Sequence, residues 1–331
     1  MKYLRESLLF VLLLAVLEIS GQPTVMKGGI LRDTTFNLFG TFKKEIKYRP
    51  YIHIPDTVLP EGVADSDYIG YYTPVAGHTL QLRVFRPDND SVYPALLMVH
   101  GGGWSSGSPS MQVPMAQRIA RCGYVAIPVE YRLSPEALYP AAVYDLKEAV
   151  KWVRKNARQY RVDPHRIAIS GCSAGGQLAT LVGTTNGRLE YENKRKRKEV
   201  SSDVQAIVNI DGSVDFTEAT SARNASEQFA KGRVPASVKW LGGTLETNPA
   251  NWVAASPLFQ VSAHSVPICF INSSIPRFHD GRDEMRRQLD AYGIYSEVTE
   301  WDDTPHPFWL FDPWIEPTVE VAVRFLDKIF K

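Results

Sequence analysis

The chain has 331 residues, 44% of them apolar and 22% charged, with a formal net charge of +1. That length and balance describe one large folded domain or two modest ones and exclude a disordered or fibrous chain. With so little net charge, no global field recruits nucleic acid or an acidic membrane. At the start, Lys2 and Arg5 precede an apolar run from Leu8 to Leu17, followed by Ser20, Gly21 and Gln22. A basic region, a short apolar core and small residues predict a secretory signal peptide over 1–21, and with it a secreted or periplasmic location. The apolar run would reach about 15 Å as a helix, half a hydrocarbon core, so stable membrane insertion is not expected. Residues 22–65 are punctuated by Pro and Gly and read as an N-terminal extension, a candidate to pack over the site. Residues 66–331 carry no repeat or linker and read as one catalytic domain.

Within that domain, Thr79 to Phe85 alternates apolar and polar residues, as a half-exposed strand does. Ala95–Val99, Tyr124–Val129 and Arg166–Ser170 are mainly apolar runs of buried-strand length, and Val204–Ile210 and Pro267–Ser273 also read as buried strands. Tyr295–Glu300 is a shorter strand. Leu146, Ala149, Val150, Val153 and Ala157 fall at helical spacing, as do Val319, Ala322, Val323, Leu326, Ile329 and Phe330. Strands alternating with helices predict an α/β fold: a mostly parallel sheet with helices on both faces. Cys122, Cys172 and Cys269 are too few for a disulfide framework, are wrongly spaced for zinc, and are expected as buried free thiols. The basic run Lys194–Lys198 reads as a solvated loop, with polyanion binding the alternative.

Three motifs carry chemistry. The first, His100-Gly101-Gly102-Gly103-Trp104, follows a buried strand. Glycines let backbone N–H groups approach an oxygen that is becoming negative, as in ester hydrolysis. The second, Gly171-Cys172-Ser173-Ala174-Gly175, fits a nucleophile elbow, with Ser173 at a helix N-terminus. Gly102, Gly103 and Ala174 are the expected oxyanion donors. The third is His306, after the last strand and before the C-terminal helix, where a general base belongs in this chain order. His279, in a loop near the strand tips, is the runner-up. The acid that orients the histidine is ambiguous. No carboxylate directly follows the strand ending at Ser273. Asp211 ends the preceding strand and ranks first, ahead of Asp283 and Asp280; turn chemistry in Asp211-Gly212 is the competing explanation.

His100–Trp104, Tyr131-Arg-Leu-Ser-Pro-Glu136, Tyr139-Pro-Ala-Ala142, Val162–Ile167 and Gly171–Gly176 together resemble the hormone-sensitive-lipase-like and feruloyl-esterase-like α/β-hydrolases. The resemblance covers roughly 65–331. Phe270–His279 and Thr304–Phe311 look like a secreted bacterial subgroup of acetylxylan or pectin acetyl esterases. Cys172 departs from the group, which often has Asp before the serine, and the vacant acid position is a second departure. The resemblance implies a serine esterase that needs no cofactor or metal and removes acetyl groups from plant cell-wall polysaccharide or oligosaccharide. A feruloyl or general short-chain esterase is the alternative, and an inactive ligand-binding relative is the alternative of another class. Trp104, Arg277, His279 and Trp309 are the expected substrate contacts, because aromatic faces stack on sugars and cations meet acidic ones.

Overall fold

The computed structural model describes residues 24–27, 30–134, 136–193 and 200–331. The expected signal peptide and the Lys194–Lys198 run lie outside the described residues. A small hairpin, β1 (Thr24–Lys27) with β2 (Ile30–Asp33), precedes helix α1 (Leu38–Glu45). Asn37 caps α1 by accepting from the Gly40 N–H at 2.8 Å.

The main sheet contains β3 (Val63–Val75), β4 (His78–Pro87), β5 (Tyr93–Val99), β6 (Val125–Val129), β7 (Val162–Cys172), β8 (Ala206–Ile210), β9 (Ile268–Asn272) and β10 (Ser296–Glu300). Their order across the sheet is β10-β9-β8-β7-β5-β6-β4-β3. From β6 to β10 neighbours run parallel, and β4 and β3 close one edge antiparallel. Parallel strands covered on both faces are near-continuously apolar, and β6, β8 and β9 are buried at every residue. Successive side chains then serve opposite faces. Leu97, Ile169 and Ile207 meet Leu146 and Val150 of α3 (Ala141–Lys155) and Leu178 of α4 (Ala174–Thr184). Leu96, Met98 and Val208 meet Ile119 of α2 (Val113–Arg121) and Phe325 and Leu326 of a C-terminal helix, Ile315–Phe330. Nucleophile strand β7 lies between β5 and β8, in the middle of the sheet.

Two expectations change. The sheet begins at Val63, so the 65/66 boundary falls inside β3; that strand is half-exposed on both faces and breaks register three times against β4, which erases its alternation. Cys122 is exposed rather than buried, because it caps the end of α2 at the surface; Cys172 and Cys269 are buried free thiols. Among the described residues no helix is long and apolar enough to cross a membrane.

Candidate active site

Between the end of β7 and the start of α4 stands Ser173, with φ 55° and ψ −121°. A non-glycine residue held there carries about 1–3 kcal/mol of strain, which its surroundings must hold in place. The Ser173 N–H donates to the Ile210 carbonyl at 2.8 Å, and the Ser173 carbonyl accepts from the Gln177 N–H at 3.1 Å. The turn closes only with glycine on each side. A Cβ on Gly171 would lie 2.1 Å from the Gly175 carbonyl oxygen, and one on Gly175 would lie 2.2 Å from that of Val99.

The loop after β5 folds around Gly102, whose carbonyl accepts from the N–H groups of Ser105 and Ser106. Gly102 and Gly103 border the same hollow as Ser173 and His306. Among the described residues no backbone carbonyl takes the N–H of Gly102 or Gly103. Ala174 is the first residue of α4, so its N–H has no partner within the helix.

His306 lies in the loop between β10 and the C-terminal helix. Its Nε2 is 2.8 Å from Ser173 Oγ and its Nδ1 is 2.6 Å from Asp211 Oδ2. Asp211 is fully buried just past β8. Its carboxylate also accepts from the Ser273 Oγ–H at 2.7 Å, the Ser273 N–H at 2.9 Å and the Asn272 Nδ2 at 3.4 Å. Ser273 is the first residue past β9, so the strand that lacks the acid supplies donors to the acid on its neighbour. The other carboxylates stand elsewhere: Asp280 accepts from Ser221 Oγ, and Asp283 pairs with Arg282 at the surface. Burial pushes the His306 imidazole below its ordinary value, and Asp211 opposes that shift. The Phe278 ring stacks on the imidazole, with centroids 3.5 Å apart and planes 6° apart. Sequence reasoning missed the roles of Phe278 and Ser273; both lie in the Phe270–His279 stretch that carries the resemblance, but each acts only through the folded loop after β9.

The other predicted residues divide. Trp104 borders a second hollow of about 400 Å³ together with Ser173, Phe216, Trp252 and Phe278, and its ring stacks on Trp240. Its indole N–H donates to Gln177 at 2.9 Å. Arg277 is exposed on the rim of that hollow, with its guanidinium over the Phe278 ring at 4.6 Å. Trp309 is only 2% exposed and meets the His306 ring edge-on at 5.0 Å, so it packs behind the base and offers no face to a ligand. His279 is likewise unsuited to substrate: its Nε2 meets the Ser273 carbonyl at 2.7 Å and its Nδ1 faces Glu300, so it fastens its own loop. It is not the base either, because that place beside Ser173 belongs to His306. His100 is buried against Tyr131, bracing the glycine loop. The N-terminal segment reaches the site: Asp33, Thr35 and Phe36 border the first hollow, about 360 Å³, and Asp33 pairs with Lys239 at 3.7 Å.

A serine elbow after the central strand, a glycine loop after its neighbour and a histidine after the last strand, on a mostly parallel sheet, define an α/β-hydrolase. The chain belongs to the BD-FAE family, whose model matches residues 82–276. It is 31% identical over 244 residues to esterase LipC of Mycobacterium tuberculosis; the match takes in 72% of this chain and 59% of LipC, less than two thirds of that relative. Its fold is similar to a propionate-bound esterase of Thermogutta terrifontis, with a TM-score of 0.64 at 24% identity, covering 82% of this chain and 96% of the other. It is also similar to a truncated carbohydrate esterase from gut microbiota, with a TM-score of 0.64 at 20% identity, covering 83% and 99%.

Proposed function

We propose that this protein is an exported serine carboxylesterase that removes acetyl groups from plant cell-wall polysaccharide or its oligosaccharides. The observation that carries the chemistry is the hydrogen-bonded chain Ser173 Oγ–His306–Asp211 at 2.8 and 2.6 Å. His306 takes the hydroxyl proton as Ser173 attacks the ester carbonyl, and Asp211 holds the ring in the tautomer that leaves Nε2 free to accept. The N–H groups of Gly102, Gly103 and Ala174 receive the oxyanion, each donor contributing on the order of 10²–10³ in rate. His306 then protonates the departing sugar oxygen, forming the acyl-enzyme. The same base activates water to release acetate. No step needs a metal or cofactor.

The hollow beside Ser173 has aromatic walls suited to sugar faces, Trp104 and Phe278 among them. The likeness to a carbohydrate esterase and to a propionate-bound esterase agrees with a sugar ester and a short acyl group. Acetate release from acetylated xylan and acetylated pectin, beside release of ferulate from a feruloyl ester, tests the reading. Acetate without ferulate supports it, and ferulate alone refutes the acyl group. Retention of activity in Ser173→Ala, or no labelling by a fluorophosphonate, refutes the mechanism.

A further inference from the structure

We infer that the cleft selects esters of acidic sugars, with the substrate's carboxylate held between Arg277 and Lys44 beyond His306; this rests on the esterase reading above. The leaving oxygen must take its proton from His306 Nε2, so the alcohol part of the ester extends over the histidine and away from the oxyanion donors. On that side of His306 lies a hollow of about 600 Å³, bordered by α1 of the N-terminal segment and by the loops 274–277 and 304–307. Neither Ser173 nor the oxyanion glycines border it.

Its charge is lopsided. Lys44, Arg49, Arg277 and Glu45 border it. Arg49 is already paired with Glu45 and Asp303, which neutralises that side. Lys44 and Arg277 are exposed, and among the described residues no carboxylate pairs with either. Arg277 is the cation of its loop left uncommitted: neighbouring Arg282 is engaged by Asp283 and Glu300. It is also held in place, with its guanidinium against Phe278 and Phe278 against His306, so the charge is fixed one ring beyond the base. A planar guanidinium with two donors on one edge matches a carboxylate better than it matches a hydroxyl. The two other hollows that Arg277 borders carry Asp280 with Glu218 and Asp280 with Asp215, which repel an anion and leave the Lys44 side as its seat.

The test compares one substrate in two forms. Acetylated oligosaccharides bearing glucuronic acid are assayed beside the same oligosaccharides after reduction of the carboxyl to an alcohol. The wild-type enzyme is expected to favour the acidic form about tenfold in kcat/KM at low salt. The ratio should fall toward one in about 1 M NaCl, where the screening length is near 3 Å. Arg277→Gln and Lys44→Gln should each lower the ratio, and the double variant should bring it to about one. A wild-type ratio near one, or an unchanged ratio in the double variant, overturns the inference. Hydrolysis of p-nitrophenyl acetate and labelling of Ser173 report separately on the parent reading. If both occur and the ratio is one, only the anion seat falls; if neither occurs, the esterase reading falls and takes this inference with it.

Discussion

Replacing Asp211 by Asn isolates the one member of the site whose chemical type is not announced by a motif. The carboxylate accepts from His306 Nδ1 at 2.6 Å, from Ser273 Oγ at 2.7 Å and from the Ser273 N–H at 2.9 Å. In Asp211→Asn the amide oxygen keeps the Ser273 N–H, which cannot reverse its role, and the NH₂ group takes the place of Oδ2. The Ser273 hydroxyl can rotate and accept, but the imidazole must then present a lone pair at Nδ1. Its proton moves to Nε2, and Nε2 can no longer take the Ser173 proton. The equivalent tautomer error in a serine protease costs about 10⁴ in kcat. At about 1.36 kcal/mol per factor of ten, that is about 5.4 kcal/mol of transition-state stabilisation. Steady-state kcat on p-nitrophenyl acetate measures the loss, and imidazole ¹⁵N shifts report which nitrogen carries the proton. Asp283→Asn is the control; its pair with Arg282 is exposed and worth at most about 1 kcal/mol, so kcat should stay within about twofold. A kcat for Asp211→Asn within tenfold of wild type, or a comparable collapse in Asp283→Asn, refutes this assignment of the acid.

Burial lowers the His306 value, and the neutral ring is the working form, so kcat/KM should rise with pH through an apparent value below about 6.5 and be level at neutrality. The same shift makes stability dependent on pH: the contribution is complete above about 6.5 and is lost as pH falls through the folded value, because the unfolded chain binds the proton first. Urea midpoints across that window should therefore drop on the acid side. Gly102→Ala places a Cβ 2.2 Å from the Ser106 carbonyl oxygen at a φ of +126°, so the oxyanion loop must shift; kcat should fall about 10²–10³ while fluorophosphonate still labels Ser173. Trp309→Ala empties a buried site and should cost about 3–5 kcal/mol in urea unfolding, whatever its effect on KM.

The parallel core was legible because strands covered on both faces leave mostly apolar runs, as at β6, β8 and β9. Strand β3 left no such trace: its residues are half-exposed on both sides and its register slips at Asp65, Gly70 and Tyr72. The elbow and glycine loop could be read locally, since backbone geometry there demands particular residues in sequence. Asp211 was reachable through two local signs, a strand end and the missing carboxylate after the next strand. The aromatic surroundings of His306 were not. Trp309 and Phe278 both lie near the base, yet one packs behind it and the other stacks on its face, and only the course of two separate loops decides which. An N-terminal extension packing over the site was foreseeable, but not the residues that reach it: Phe36 borders the hollow of a serine 137 positions later in the chain.

Placing the acid at the end of β8 separates two duties that one loop would otherwise combine. A carboxylate on the loop after β9 would tie that loop's shape to proton transfer, and any insertion there would risk the reaction. Here Ser273 and Phe278 are the loop residues that touch Asp211 and His306, and the positions between them, 274–277, line two neighbouring hollows. Diversity introduced at those positions can therefore alter which esters are accepted while the proton path on β8 stays as it is. A library confined to 274–277 is a direct route to variants with new ester preference.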